Sequence, residues 1–151
     1  MTRFMSRGLD QKFSERFGIK FSVIKRPMIA VRFRRYDGLW MERVIRMRMD
    51  TGADLSLIPR SLGRELRLKN GIEHSLTGIA MRKECIIPAQ IFEVKARLED
   101  EYGHVSKEFK MWTACAEWEE VPLVFGMKSA LDHFITEVNP IKEEVKVIVT
   151  P

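Results

Sequence analysis

The stretch Met49-Asp50-Thr51-Gly52-Ala53-Asp54-Leu55-Ser56-Leu57-Ile58-Pro59 holds the residues whose types and spacing best suit chemistry. A carboxylate, Asp50, stands at the end of an alternating segment and is followed at once by a hydroxyl and a glycine. The glycine lets the chain turn tightly and lets another backbone approach closely. The N–H groups beside it can point at the carboxylate, and the Thr51 hydroxyl can both donate to and accept from backbone across an interface. An ordinary Asp–Gly turn has the same residues, so the tripeptide by itself decides nothing.

Other constellations carry less. His74, His104 and His133 do not stand at metal-ligand spacing with Cys85 or Cys115, and there is neither C-x-x-C nor H-E-x-x-H, so no metal is expected. Ser129, Asp132 and His133 invite a nucleophile–base reading, but they crowd one short segment and no G-x-S-x-G elbow accompanies them. No glycine-rich dinucleotide or phosphate-loop sequence occurs, and no cofactor is expected.

The elements that must position Asp50 read as mostly β. Ile29–Arg35 and Leu39–Met49 alternate around a Tyr36-Asp37-Gly38 turn, which predicts a hairpin ending at Asp50. Leu55–Ile58 is a short apolar run, and Pro59 sits where helices start, predicting a short helix over Arg60–Leu66. Ile72–Ile79 and Cys85–Leu98 predict a long hairpin that bends around Gly78–Glu84. Val105–Ala116 predicts a further strand, Val121–Phe125 a buried run stopped by Gly126, Lys128–Phe134 a second short helix, and Val145–Val149 a closing strand. Leu9, Phe13 and Phe17 recur at helical spacing within an N-terminal extension, residues 1–22, of no evident role. Residues 23–151 form the single expected domain.

Three features in this order join the Asp-Thr-Gly-Ala loop: the apolar run with its proline-started helix, Leu76-Thr77-Gly78-Ile79-Ala80 about 25 residues on, and Leu123-Val124-Phe125-Gly126-Met127 leading into Ser129-Ala130-Leu131. Together they resemble the single-lobed, retropepsin-like aspartic protease family over roughly residues 26–151. The resemblance implies a closed β-barrel-type acid protease subunit with one or two short helices. It implies Asp50, Thr51 and Gly52 as the catalytic loop and Ala53, Asp54, Thr77, Gly78, Ile79 and Phe125 as residues meeting substrate, Gly78 at the tip of a flap. Two carboxylates about 3 Å apart cannot both be charged, and aspartic proteases in general use such a pair: one takes a proton from water while the other, protonated, hydrogen-bonds the scissile carbonyl. The chain has a single Asp-Thr-Gly and no Asp-Ser-Gly, so the pair would come from two copies on a two-fold axis, with a peptide or protein as substrate. The sequence departs from the family pattern in three places. Met127 stands where many viral members have a basic residue that pairs with the position of Asp54. Gly78 is the single glycine of the flap segment, and Phe125 is larger than the usual aliphatic residue, which implies a narrower cleft.

Composition sets the outer bounds. The chain has 151 residues, 45% hydrophobic and 31% charged, with a net charge of +5. No apolar stretch approaches the roughly 18–20 residues of a membrane span, and the charged start has no apolar signal segment. Two cysteines 30 positions apart suit reduced thiols. These features point to a cytoplasmic protein without a membrane partner. Residues 1–48 carry 13 basic against 4 acidic side chains, and the remainder 13 against 17. The basic surplus suits a nucleic-acid arm, but in Val31–Arg34 and Val44–Met49 the charges alternate as on the solvent face of half-buried strands, the reading preferred here. Three expectations remain in order: an aspartic endopeptidase, a non-cleaving peptide-binding or assembly module of the same fold, and a nucleic-acid-associated protein.

Overall fold

The computed structural model describes residues 2–7, 24–76 and 86–149. Ten strands run in chain order: β1 (Thr2–Arg7), β2 (Ile24–Phe33), β3 (Ile45–Met49), β4 (Ser56–Ile58), β5 (Ile72–Leu76), β6 (Ile87–Leu98), β7 (Phe109–Ala116), β8 (Val124–Phe125), β9 (Phe134–Asn139) and β10 (Glu144–Val149). Among the described residues one helix, α1 (Arg60–Glu65), follows β4, and a single 3-10 turn covers Leu131–His133. The protein is mostly β. Strand order is β5-β6-β7-β4-β8-β3-β2-β1-β10-β9, and β2 also pairs with β6, so six strands close a ring.

Alternation explains the ring. Along β6 the burial alternates over Phe92, Val94, Ala96 and Leu98, and β3 buries Ile45, Met47 and Met49. These side chains meet Val31 and Phe33 of β2 and Met111 of β7 in one core, where a one-residue slip would turn each strand inside out. Helix α1 begins after Pro59, whose φ of −75° suits a helix start, and packs Leu62 onto the same core.

The ring has one irregularity. Strands β3 and β4 are neighbours in sequence but not in space, because β8 lies between them. It runs parallel to β3 in the register Arg48↔Val124 and Met49↔Phe125, and antiparallel to β4 at Leu57↔Val124. Strand β4 in turn runs parallel to β7, with Ser56 opposite Thr113. The segment joining β3 to β4, residues 50–55, therefore loops around the end of β8, and its backbone groups must find partners outside a regular ladder.

The alternating arginines of the basic first third find acids from later in the chain. Arg32 Nε and Nη2 donate to Glu99 at 2.7 and 2.9 Å, and Arg97 Nε donates to the same carboxylate at 3.0 Å. Arg34 pairs with Glu108 at 3.0 Å, and Arg43 with Glu65 at 2.9 Å. Arg97 also stacks over Trp40, 4.3 Å from the ring centroid. The hydrogen bonds from Arg32 hold Glu99 below the usual carboxylate range, against the opposing push of burial. At Asp100 burial pushes upward, but the His104 ring and the N–H groups of His104 and Tyr102 together hold it down to about 2.

Two expectations are revised. The short helix expected over Lys128–Phe134 is reduced to the 3-10 turn Leu131–His133, because the first donors serve other partners: the Met127 and Lys128 N–H groups leave for the 50–55 loop. Ser129 takes a positive φ of 55°, and its hydroxyl accepts the Trp112 N–H at 2.7 Å. Residues 2–7, assigned to an extension, form β1, which lies between β2 and β10 in the registers Phe4↔Pro27 and Thr2↔Val145. The Leu9/Phe13/Phe17 stripe lies outside the described residues. Among the described residues no helix is long and apolar enough to cross a membrane, which says nothing of a β-barrel.

Candidate active site

Asp50 is the first residue beyond β3. Because Met47 and Met49 face the core, the two-residue period places Asp50 on the opposite face with Arg48. The Asp50 N–H donates to the Phe125 carbonyl at 3.0 Å, extending the β3–β8 pairing by one step. Its side-chain Oδ1 accepts the Gly52 N–H at 3.0 Å, and the Ala53 N–H donates to the Asp50 carbonyl at 3.3 Å. The carboxylate is thus oriented by its own turn. Its other oxygen, Oδ2, lies 3.9 Å from Arg48 Nη2, beyond hydrogen-bond distance, and the Asp50 side chain keeps 38% of its surface exposed.

The rest of the loop is tied to the chain after β8. Gly126 N–H donates to the buried Ser56 hydroxyl at 3.0 Å, Met127 N–H to the Ala53 carbonyl at 2.9 Å, and Lys128 N–H to the Asp54 carbonyl at 2.8 Å. Gly126 makes this docking possible. A Cβ there would lie 2.5 Å from the Leu55 carbonyl carbon and oxygen and 2.9 Å from the Ala53 oxygen. Gly52, to which the sequence assigned a close backbone approach, has no such contact among the described residues of the chain: a Cβ there would meet Asp50 Oδ1 at 3.4 Å. The close approach belongs to Gly126. Beneath the loop, the Thr113 hydroxyl is buried with no hydrogen-bond partner among the described residues.

A cleft of about 460 Å³ opens over Asp50. Of the residues expected there, Asp50, Gly52, Ala53 and Asp54 line it, and Thr51 lies exposed beside them. Asp54 forms no ion pair among the described residues, so the partner lost at Met127 is not replaced within them. Thr77, Gly78 and Ile79, and with them the expected flap, lie outside the described residues. Phe125 is corrected. Its ring is fully buried, edge-on to Phe109 with centroids 6.3 Å apart, and does not line the cleft. Its backbone carbonyl, which receives the Asp50 N–H, is what serves the site.

Arg48, His74, Ser75, Leu76, Pro122 and Val124 also line the cleft. Arg48 was legible, since two-residue periodicity puts it on the Asp50 face. Ser75 and Leu76 adjoin the expected flap, whereas Pro122 gives no local signal because β8 reaches the loop only through a long-range pairing. Ser129 and His133 do not meet: the serine accepts the Trp112 N–H while His133 Nε2 faces the Lys110 carbonyl at 3.4 Å. Among the described residues no three of His, Cys, Asp and Glu gather as a metal site.

Comparison with protein-family models gives no match for this chain, and comparison with curated proteins gives none either.

Proposed function

We propose that the protein is an aspartic endopeptidase of retropepsin type, acting in the cytoplasm as a homodimer. Two Asp50 carboxylates, one from each copy, would share a single proton across the two-fold axis. The ionised one takes a proton from a water held between them while the protonated one hydrogen-bonds the scissile carbonyl; the water oxygen attacks that carbon and the amide nitrogen leaves protonated. Thr51, exposed beside each carboxylate, would brace the partner's loop. Extended substrate would lie along the cleft with β-type hydrogen bonds, beside Ala53 and Asp54. No metal or organic cofactor enters this reading.

The observation that carries it is the holding of Asp50. One oxygen is fixed by the Gly52 N–H at 3.0 Å, the other stands 3.9 Å from Arg48 Nη2, and the residue lines an open cleft. The same hold occurs in ordinary turns, at Asp37 and Asp100 for instance; what sets Asp50 apart is that it lines the cleft together with Gly52, Ala53 and Asp54. The pairing of Arg32, Arg34 and Arg43 with acids favours this reading over a nucleic-acid arm. The test is cleavage of an unfolded protein mixture by wild type and Asp50→Asn from about pH 4 to about pH 8. Products from wild type alone are expected. Equal products from both would remove the catalytic role and leave the cleft as a peptide-binding groove.

A further inference from the structure

The inference here rests on the proposed peptidase reading and concerns which peptides that site would accept. Two carboxylates of one loop line the cleft, Asp50 and, further along, Asp54. Asp54 is exposed, and its side chain forms no hydrogen bond or ion pair among the described residues. Its place is nonetheless fixed, because both peptide groups that flank it are pinned. Met127 N–H donates to the Ala53 carbonyl at 2.9 Å, and Lys128 N–H to the Asp54 carbonyl at 2.8 Å.

The residues that pin Asp54 supply no counter-charge. Met127 has none to give, and the Lys128 ammonium forms no ion pair with the carboxylate. Arg48, the cation lining the same cleft, is occupied: it pairs with Asp50 at 3.9 Å and has a further interaction besides. The other ionisable residue of the lining, His74, is exposed on β5.

Substrate changes the balance at Asp54. In the open cleft water solvates this carboxylate. An extended peptide laid there displaces part of that water, and a carboxylate losing water without a counter-charge is costly. A neutral side chain over it returns little, and an acidic one adds repulsion. A Lys or Arg side chain returns a charge-assisted hydrogen bond, two in parallel for Arg. The two-fold axis of the proposed dimer sets one Asp54 on each side of the scissile bond, so both halves of the peptide feel the effect.

We infer that Asp54 is a specificity-determining residue, and that the cleft prefers peptides with a basic side chain to either side of the scissile bond.

The experiment uses the full chain and matched peptides that differ only by Arg, Gln or Glu, placed in turn at each position on either side of the bond. For wild type, kcat/KM should rank Arg above Gln above Glu at one position in each half, with Arg over Gln by about fivefold. That ratio should shrink as salt is raised. In Asp54→Asn, a change of charge at nearly constant shape, it should fall to about one, and Asp54→Glu should restore part of it. These are ratios within one protein, so a variant that merely loosens the fold leaves them unmoved. A wild-type ratio near one at every position overturns the inference while leaving the peptidase reading intact; a carboxylate that instead pairs with a cation of the second copy gives that result. An unchanged ratio in folded Asp54→Asn overturns it as well. Should Asp54→Asn not fold, the wild-type ratio and its salt dependence decide. If wild type cleaves nothing, the peptidase reading fails by itself. Fluorescence anisotropy of the same peptides with a reduced, uncleavable bond then decides on Asp54, with tighter Arg-peptide binding supporting its role and equal binding overturning it.

Discussion

Glu99 and Asp50 are carboxylates on the same ring of strands, each beside an arginine, and they are held in opposite ways. Glu99 accepts two bonds from Arg32 and one from Arg97, keeps 14% of its surface, and is held below the usual carboxylate range. Among the described residues Asp50 accepts one side-chain bond, from a backbone N–H; it keeps 38% of its surface and forms a 3.9 Å ion pair with Arg48. The fold saturates the carboxylate that joins β2 to the end of β6, and holds the second oxygen of the other only by a 3.9 Å ion pair with Arg48. On the proposed reading, availability, rather than the presence of an acid beside a base, is what would set Asp50 apart from a structural carboxylate such as Glu99.

This contrast can be broken by substitution. Asp50→Asn should reduce peptide cleavage at least about a thousandfold while moving unfolding free energy by no more than about 0.5 kcal/mol. A denaturation curve and a cleavage assay on one preparation check both halves. Gly126→Ala drives a methyl into the Leu55 carbonyl and should cost about 3 kcal/mol in urea unfolding. Because the displaced segment is the Asp50 loop, cleavage should fall with it. Glu99→Gln should do the reverse of Asp50→Asn, lowering stability by about 2 kcal/mol with cleavage kept near wild type.

Protonation sharpens the same comparison. Glu99 and Asp100 are both depressed in the folded chain, the latter to about 2. The stability they contribute is present above the usual carboxylate value of about 4 and is lost as pH falls through their folded values. The thermal midpoint should therefore be level above about pH 5 and decline toward about pH 2, with a shallower decline in Glu99→Gln. The smallest effect is expected at Thr113→Val. The hydroxyl there has no partner among the described residues, so its removal should leave stability unchanged or raise it by up to about 1 kcal/mol.

Much of the ring was legible because it rests on local periodicity. The alternation of Ile45, Met47 and Met49 gave β3, and the long apolar pattern of Ile87–Leu98 gave β6. Pro59 marked α1 within a residue of its observed limits. What failed were elements decided by distant partners. The segment 127–133 has helical spacing, yet it is helical only over the 3-10 turn Leu131–His133, because the Met127 and Lys128 N–H groups bind the carbonyls of Ala53 and Asp54 some 74 residues earlier, and nothing in the local sequence reveals those bonds. Strand β9 was missed for the same reason, since it forms by pairing with β10 in the register Phe134↔Val149. At the site, Asp50 and Gly52 were visible as a motif, and Phe125 was misassigned because a motif gives no side-chain direction. Its alternation with Val124 across so short a strand, with both side chains buried, is too brief to read.

The central claim, that two Asp50 carboxylates from separate copies make one site, is tested most directly by mixing subunits. Wild type and Asp50→Asn are combined in equal amounts, allowed to exchange, and assayed at fixed total chain. A site shared by two copies leaves about a quarter of the wild-type activity, because only wild-type pairs are complete. Retention of about half would mean that each chain works alone, and would contradict the account.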